Sequence, residues 1–307
     1  MKKYILNLLT IASLLLLIEA CFAGEVSVKD YGAVGDGQHD DTVAISKALA
    51  SGSSVYIPAG WYRVQPGKLK VSGGGKSIRG DSRSSSVLIT GTYGPILTVD
   101  TSPQTYYLCI QNLGFVQDTK SVGNAKSSAG ILITDSGPSY FAYCRLSSLL
   151  FLGTYHGILN TRTTDNGGES QGDWNTFTEL AMTNYGENNV HYGILFRHGS
   201  GTGNIFSTST LICTDAGIQI GDGVGNVGDI TFQGLQQGGG GTGIRLAAGK
   251  HYGSNITITG SQWDAGITHS LEFTRMNSFR IFGCSFGGAT RSVFVNCTNY
   301  WIDGTHY

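Results

Sequence analysis

The chain has 307 residues, 13% of them charged and 40% hydrophobic, with a formal net charge of −1. That balance excludes the clustered Lys and Arg on which nucleic-acid binding depends. Glycine is abundant, 46 residues against five prolines, and without a collagen period this mixture indicates many short strands joined by tight turns.

At the N-terminus Lys2 and Lys3 precede an apolar run from Tyr4 to Ile18 and the small-residue stretch Ala20-Cys21-Phe22-Ala23. This is the layout of a secretory signal peptide, and the run is too short for a membrane-spanning helix. Residues 1–23 are therefore expected to be removed, leaving a secreted product, extracellular or periplasmic, with no integral membrane span. Cleavage before Cys21 would leave a lipoprotein instead, an arrangement that Glu19 fits poorly. Residues 24–307 suit one domain, as a large core or a single elongated solenoid. The cysteines at 109, 144, 213, 284 and 297 lack the close spacing of a metal knot and are expected to be mostly buried thiols, with no metal site.

The segment Val28 to Leu49 reads as a strand, a glycine-rich turn and an amphipathic helix. Asp40 or Asp41 would cap that helix, and Ala44, Ile45, Ala48 and Leu49 form its apolar face. Ser54-Val-Tyr-Ile-Pro-Ala-Gly-Trp-Tyr-Arg63 then gives a strand and a turn that begin the first coil. Asp36, Asp40 and Asp41 are assigned to turn and capping duty rather than to chemistry. Residues 26–63 closely resemble the opening signature of the pectate-lyase-like superfamily, found in polygalacturonase-like enzymes, rhamnogalacturonases, epimerases and phage tailspike depolymerases. The resemblance implies an all-β fold, a right-handed single-stranded parallel β-helix with a short N-terminal capping helix, working on a polysaccharide. It does not carry over a reaction. The Asn-Thr-Asp, Asp-Asp, Gly-His-Gly and Arg-Ile-Lys motifs of polygalacturonases have no downstream match; Tyr155-His156-Gly157 is the nearest approach, and Arg280-Ile281-Phe282 lacks the lysine.

Further along, Cys109-Ile-Gln-Asn-Leu and Cys144-Arg-Leu-Ser-Ser read as matching strands whose stacking would permit a disulfide, although core thiols are preferred. From residue 130 a glycine-led strand recurs: Gly130-Ile-Leu-Ile133, Gly157-Ile-Leu-Asn160, Gly193-Ile-Leu-Phe196, Gly217-Ile-Gln-Ile220 and Gly243-Ile-Arg-Leu246. The degenerate copies Ser270-Leu-Glu-Phe273 and Ser292-Val-Phe-Val295 follow, at spacings of 22 to 36 residues overall. A second strand interleaves at Asn204, Asp229, Asn255, Ser278 and Asn299. Strands this short with no helix between them stack as coils of a solenoid, about 4.8 Å apart. Ile131, Ile158, Ile194, Ile218 and Ile244 then form an inward column. The residues leading the second strand form a polar turn ladder, and Gln219, Arg245 and Glu272 form an outward column.

Five places after each leading residue lie Asp135, Arg162, His198, Asp222, Ala248 and Arg275, with Arg197 beside them. This row of acid, imidazole and guanidinium is the candidate site. Asp222 is the acid or base, His198 its proton-transfer partner, and Arg197, Arg162 and Asp135 bind substrate. The insertion Thr161 to Asp173 overhangs the same edge, with Asp165 and Glu169 as reserve carboxylates, and Trp174 supplies a stacking face for sugar. Glycosidic hydrolysis requires two carboxyl groups about 5–9.5 Å apart; uronate elimination requires a base and a cation. The leading expectation is a secreted polysaccharide-degrading hydrolase or lyase without a cofactor, calcium entering only for a lyase. The alternatives are a non-catalytic glycan-binding, adhesive β-helix and a sugar epimerase. The chain ends on a strand without a cap, so self-association through the C-terminal end of the solenoid is expected.

Overall fold

The computed structural model describes residues 24–304 other than 53, 103, 119–125, 136–139, 162–173, 185–188, 198–202, 224, 226, 250–252, 265 and 288–290. The signal segment, Arg162, Asp165, Glu169 and His198 thus lie outside the described residues. A short strand buries its inward side chains only when another coil stacks on it. The chain meets this requirement by winding three strands per coil, each paired in parallel with its equivalents one coil before and after. The glycine-led strands make a sheet of nine described strands, from Leu69–Ser72 through His156–Asn160, Tyr192–Phe196, Ala216–Ile220 and Thr242–Ala247 to Arg291–Val295. The other two strands of a coil meet at a sharp corner, as Thr176–Thr178 meets Ala181–Thr183. This is the parallel β-helix expected from the repeats.

Helix α1, Thr42–Ser51, buries Ile45, Ala48 and Leu49 and packs on Leu69–Ser72, the first strand of the nine. It covers backbone and core that would otherwise lie open. Asp41 occupies the N-cap position, yet its carboxylate accepts from the Val34 and Gly35 N–H groups at 2.6 and 2.9 Å. Asp40 accepts from the Thr42 N–H at 3.0 Å, and Asp36 from those of Gln38 and His39. All three aspartates therefore serve turns.

The inward isoleucines stack in the register read from the repeat, Ile131 on Ile158, Ile194, Ile218, Ile244 and then Leu271, all essentially buried. The leading glycine has a packing cause. A Cβ on Gly193 would lie 2.4 Å from the Gly217 carbonyl oxygen and 2.8 Å from Met182 Sδ, and one on Gly157 would lie 2.6 Å from the Gly193 oxygen. Large side chains of the neighbouring strand fill the space that a side chain would need. Gly193→Ala is accordingly expected to cost about 1–3 kcal/mol by overpacking, read as a lower urea midpoint; an unchanged midpoint would contradict this packing.

Three register expectations are corrected. Cys109 pairs with Arg145 rather than Cys144, and all five described cysteines are free. Cys144 points inward, where its N–H donates to Asn175 Oδ1 at 2.9 Å. Asn204 leaves the polar turn ladder and joins this interior one: its Oδ1 accepts from both the main-chain N and Nδ2 of Asn175 at 3.1 Å, and both side chains are fully buried. In the last coil Leu271 pairs with Ser292 and Phe273 with Phe294 after a register shift. The shift turns Phe294 onto the core rings of Phe273 and Phe279, 5.6 and 5.2 Å away.

Candidate active site

The predicted row has two described carboxylates, half-buried Asp135 and exposed Asp222. Successive pairings set them three rungs apart, about 14 Å at the ordinary strand spacing and beyond the span of a hydrolytic pair. Ala248 in the same row is buried, and Arg275 donates to the Gly249 carbonyl at 3.0 Å. The outward column stands as read: Arg245 Nε donates to Glu272 Oε2 at 2.8 Å and its guanidinium to Gln219 Oε1 at 3.1 Å. At about one-third exposure such a pair adds about 0–1 kcal/mol.

The opposite edge of the same sheet gathers a different set. The residues just before the leading glycines of three successive coils are Tyr155-His156, His191-Tyr192 and Asp215-Ala216, and parallel pairing aligns them, His156 with Tyr192 and Tyr192 with Ala216. Tyr155 therefore lies over His191, with rings 4.1 Å apart and 13° from parallel. His156 lies over Tyr192 at 5.4 Å and 17°. On the next rung Asp215 Oδ1 is 3.3 Å from His191 Nδ1, and the Asp215 charge also acts on the Tyr192 phenol. Both members of the His191–Asp215 pair keep about a third of their side-chain surface exposed, so the group is open to a ligand. Arg197, at the end of the Tyr192 strand, is exposed and forms no ion pair among the described residues. Beside the cluster the outward leucines Leu159 and Leu195 pack with Ala129, Leu132 and Tyr192.

The electrostatics separate the roles. Burial, then the Asp215 charge, holds the phenols of Tyr192 and Tyr155 above the ordinary tyrosine range, so both stay protonated at neutral pH. In the neutral tautomer whose Nδ1–H points to Asp215, the lone pair of His191 sits on Nε2. His156 is buried, its Nδ1 3.0 Å from the Ser128 carbonyl, and desolvation pushes its pKa down to about 4. An imidazole depressed from 6.5 takes up its proton more readily in the unfolded chain. The stability is thus complete above about pH 6.5, falls between 6.5 and 4, and levels off below 4, a loss of about 3 kcal/mol. Urea midpoints across that window should show the fall and His156→Asn should flatten it; an equal slope in the variant would contradict this assignment. Among the described residues no three metal-ligating side chains converge, and no helix is long and apolar enough to cross a membrane.

The family model described as "Rhamnogalacturonase A/epimerase, pectate lyase-like" matches residues 25–287. A 49-residue segment is 51% identical to mannuronan C5-epimerase AlgE3 of Azotobacter vinelandii, covering 14% of this chain and 3% of that protein. The chain therefore spans a small part of the curated relative that it matches. Among solved structures, the A-module of mannuronan C-5 epimerase AlgE6 of Azotobacter vinelandii superposes with a TM-score of 0.53 at 14% identity, covering 92% of this chain and 99% of the module. The pre-mature gene product 12 of bacteriophage phi29 gives 0.57 at 15% identity, over 95% of this chain and 47% of that one. These two likenesses concern the fold. With the family match spanning most of the sequence, the chain belongs to the rhamnogalacturonase A/epimerase family of pectate-lyase-like parallel β-helix proteins.

Proposed function

We propose that this protein acts on a uronate-containing polysaccharide outside the cell by removing the proton at C5, as a lyase or a C5-epimerase. The observation that carries this reading is the alignment of His191, Tyr192 and Asp215 on adjoining rungs, with Arg197 at the end of the same strand. Its chemistry follows from the parts. Asp215 orients His191 so that Nε2 takes the C5 proton, and Arg197 offsets the negative charge that spreads onto the uronate carboxylate. Tyr192, which stays protonated, then supplies a proton. Delivered to the C4 glycosidic oxygen, the proton lets that bond break and leaves an unsaturated end. Delivered to C5 from the opposite face, it inverts the centre and keeps the chain intact.

The family description and the epimerase among the relatives support this reaction class. The described carboxylates favour it over hydrolysis: Asp215 and Glu272 lie two rungs and about four strand positions apart, a backbone separation of about 16 Å. The row at the other edge, with Asp222 as its acid or base, is the alternative site. The test is incubation in D2O with neutral and uronate polysaccharides, following ultraviolet absorbance of unsaturated ends and deuterium at C5. Either signal supports the proposal; neither signal with any uronate polymer would sink it.

A further inference from the structure

One corner column runs from Gly75 to the last coil, just before the first strand of each. Strand register aligns in it Gly75, Tyr107, Tyr143, Trp174, Gly203, Asp229, Asn255, Ser278 and Asn299. Every one has a left-handed backbone, with φ between +47° and +74°. From Asp229 onward the residues are short and polar, types that accept this conformation at little cost. Gly75 and Gly203 accept it at none. Tyr107, Tyr143 and Trp174 do not belong by that criterion, because a bulky residue at positive φ is disfavoured.

Burial does not compensate them, since they are 66%, 50% and 59% exposed. The rings of Tyr107 and Tyr143 stack at 5.5 Å and 19°, and Trp174 lies over Gly203, where an added Cβ would come within 2.6 Å of the indole. At the other end the register places Gly75 beside Tyr107, a residue with no side chain to lay over its ring. Three successive coils thus accept strained backbone to hold aromatic rings in water, and strain of this kind collects where function requires it.

We infer that Tyr107, Tyr143 and Trp174 form a second glycan-binding stripe, apart from the His191–Tyr192–Asp215 cluster, which holds a polysaccharide chain lengthwise along the solenoid. The inference rests on the polysaccharide reading above. Pyranose rings carry C–H-rich faces that stack on aromatic rings, and phenol and indole combine such a surface with a hydrogen-bond donor. The stripe itself bears no charge, so it recognises the sugar ring rather than the uronate carboxylate.

Exchanging all three for Asn, the residue this corner uses at positions 255 and 299, separates binding from folding. Wild type and the Tyr107→Asn, Tyr143→Asn, Trp174→Asn variant are compared by affinity electrophoresis in gels containing neutral or uronate polysaccharides, by thermal midpoint and by mass in solution. The expected result is retardation of wild type, at least about a tenfold weaker apparent affinity in the variant, and an equal or higher midpoint. Equal retardation overturns the stripe and leaves the polysaccharide reading standing. A lowered midpoint assigns the rings to folding, and a changed mass assigns them to self-association; either overturns the proposal. Wild type unretarded by every polymer overturns the stripe and the polysaccharide reading together.

Discussion

Tyr192→Phe is expected to lower turnover on a uronate polysaccharide by about 10²–10⁴, the range of a positioned acid or base, with little change in stability. The phenyl ring preserves the stack on His156, 5.4 Å away, and only the hydroxyl is lost. Asp215→Asn should fall in the same range, because an amide no longer fixes which nitrogen of His191 carries the proton. Arg197→Ala should lower kcat and kcat/KM together, because the charge it offsets develops as the C5 proton leaves. In wild type the alkaline limb should lie above the ordinary tyrosine range, since burial and the Asp215 charge hold the Tyr192 proton. Asp222→Ala is the control at the opposite edge. A hundredfold loss there, with Tyr192→Phe active, would move the reacting centre to that row.

Asn175→Ala is expected to be among the most damaging single changes to the fold. Asn175 Oδ1 accepts from the Cys144 N–H, and Nδ2 donates to the Phe141 carbonyl at 2.9 Å and to Asn204 Oδ1. Truncation removes one bond from the Cys144 N–H and one from the Phe141 carbonyl in a site closed to water, about 1–3 kcal/mol for each. Together that is about 2–6 kcal/mol, a large part of the usual stability of a domain. Since each coil contacts only its neighbours, hydrogen exchange should accelerate first around residues 141–146 and 175–178. Asn255→Ala is the contrast: its exposed side chain donates to Asp229 Oδ1 at 2.7 Å, and its loss should cost about 1 kcal/mol, chiefly for alanine at positive φ. Equal losses in the two variants would contradict the distinction between interior and corner ladders.

The fold was legible wherever one residue type served one column. The isoleucine column and the outward Gln219, Arg245 and Glu272 follow from repeat arithmetic, because parallel stacking preserves register. Register failed where two columns use similar residues. Asn204 resembles the corner residues Asp229 and Asn255, but it lies one position along and turns into the core, a difference of direction that spacing does not carry. The left-handed corner is not legible at Tyr107, Tyr143 and Trp174, since local preference places Gly or Asn there and aromatic residues conceal the turn. Trp174 was legible as a sugar-stacking ring, but not its company. The cluster was missed for a simpler reason. Of the three pairs, Tyr155-His156 stands out in the sequence only as part of Tyr155-His156-Gly157, and His191-Tyr192 and Asp215-Ala216 match no motif, although each pair directly precedes a leading glycine and the repeat itself aligns them. That shared position was the available signal.

The central claim, C5 proton abstraction at the leading edge of the nine-stranded sheet, is tested most directly by the fate of the C5 hydrogen. The protein is incubated in D2O with a uronate polysaccharide protonated at C5, and the product is examined by NMR for deuterium at C5 and for the unsaturated C4–C5 signal. One of the two should appear with wild type and be lost in Tyr192→Phe. New reducing ends with C5 still fully protonated and no unsaturation would mean hydrolysis, and would contradict the account.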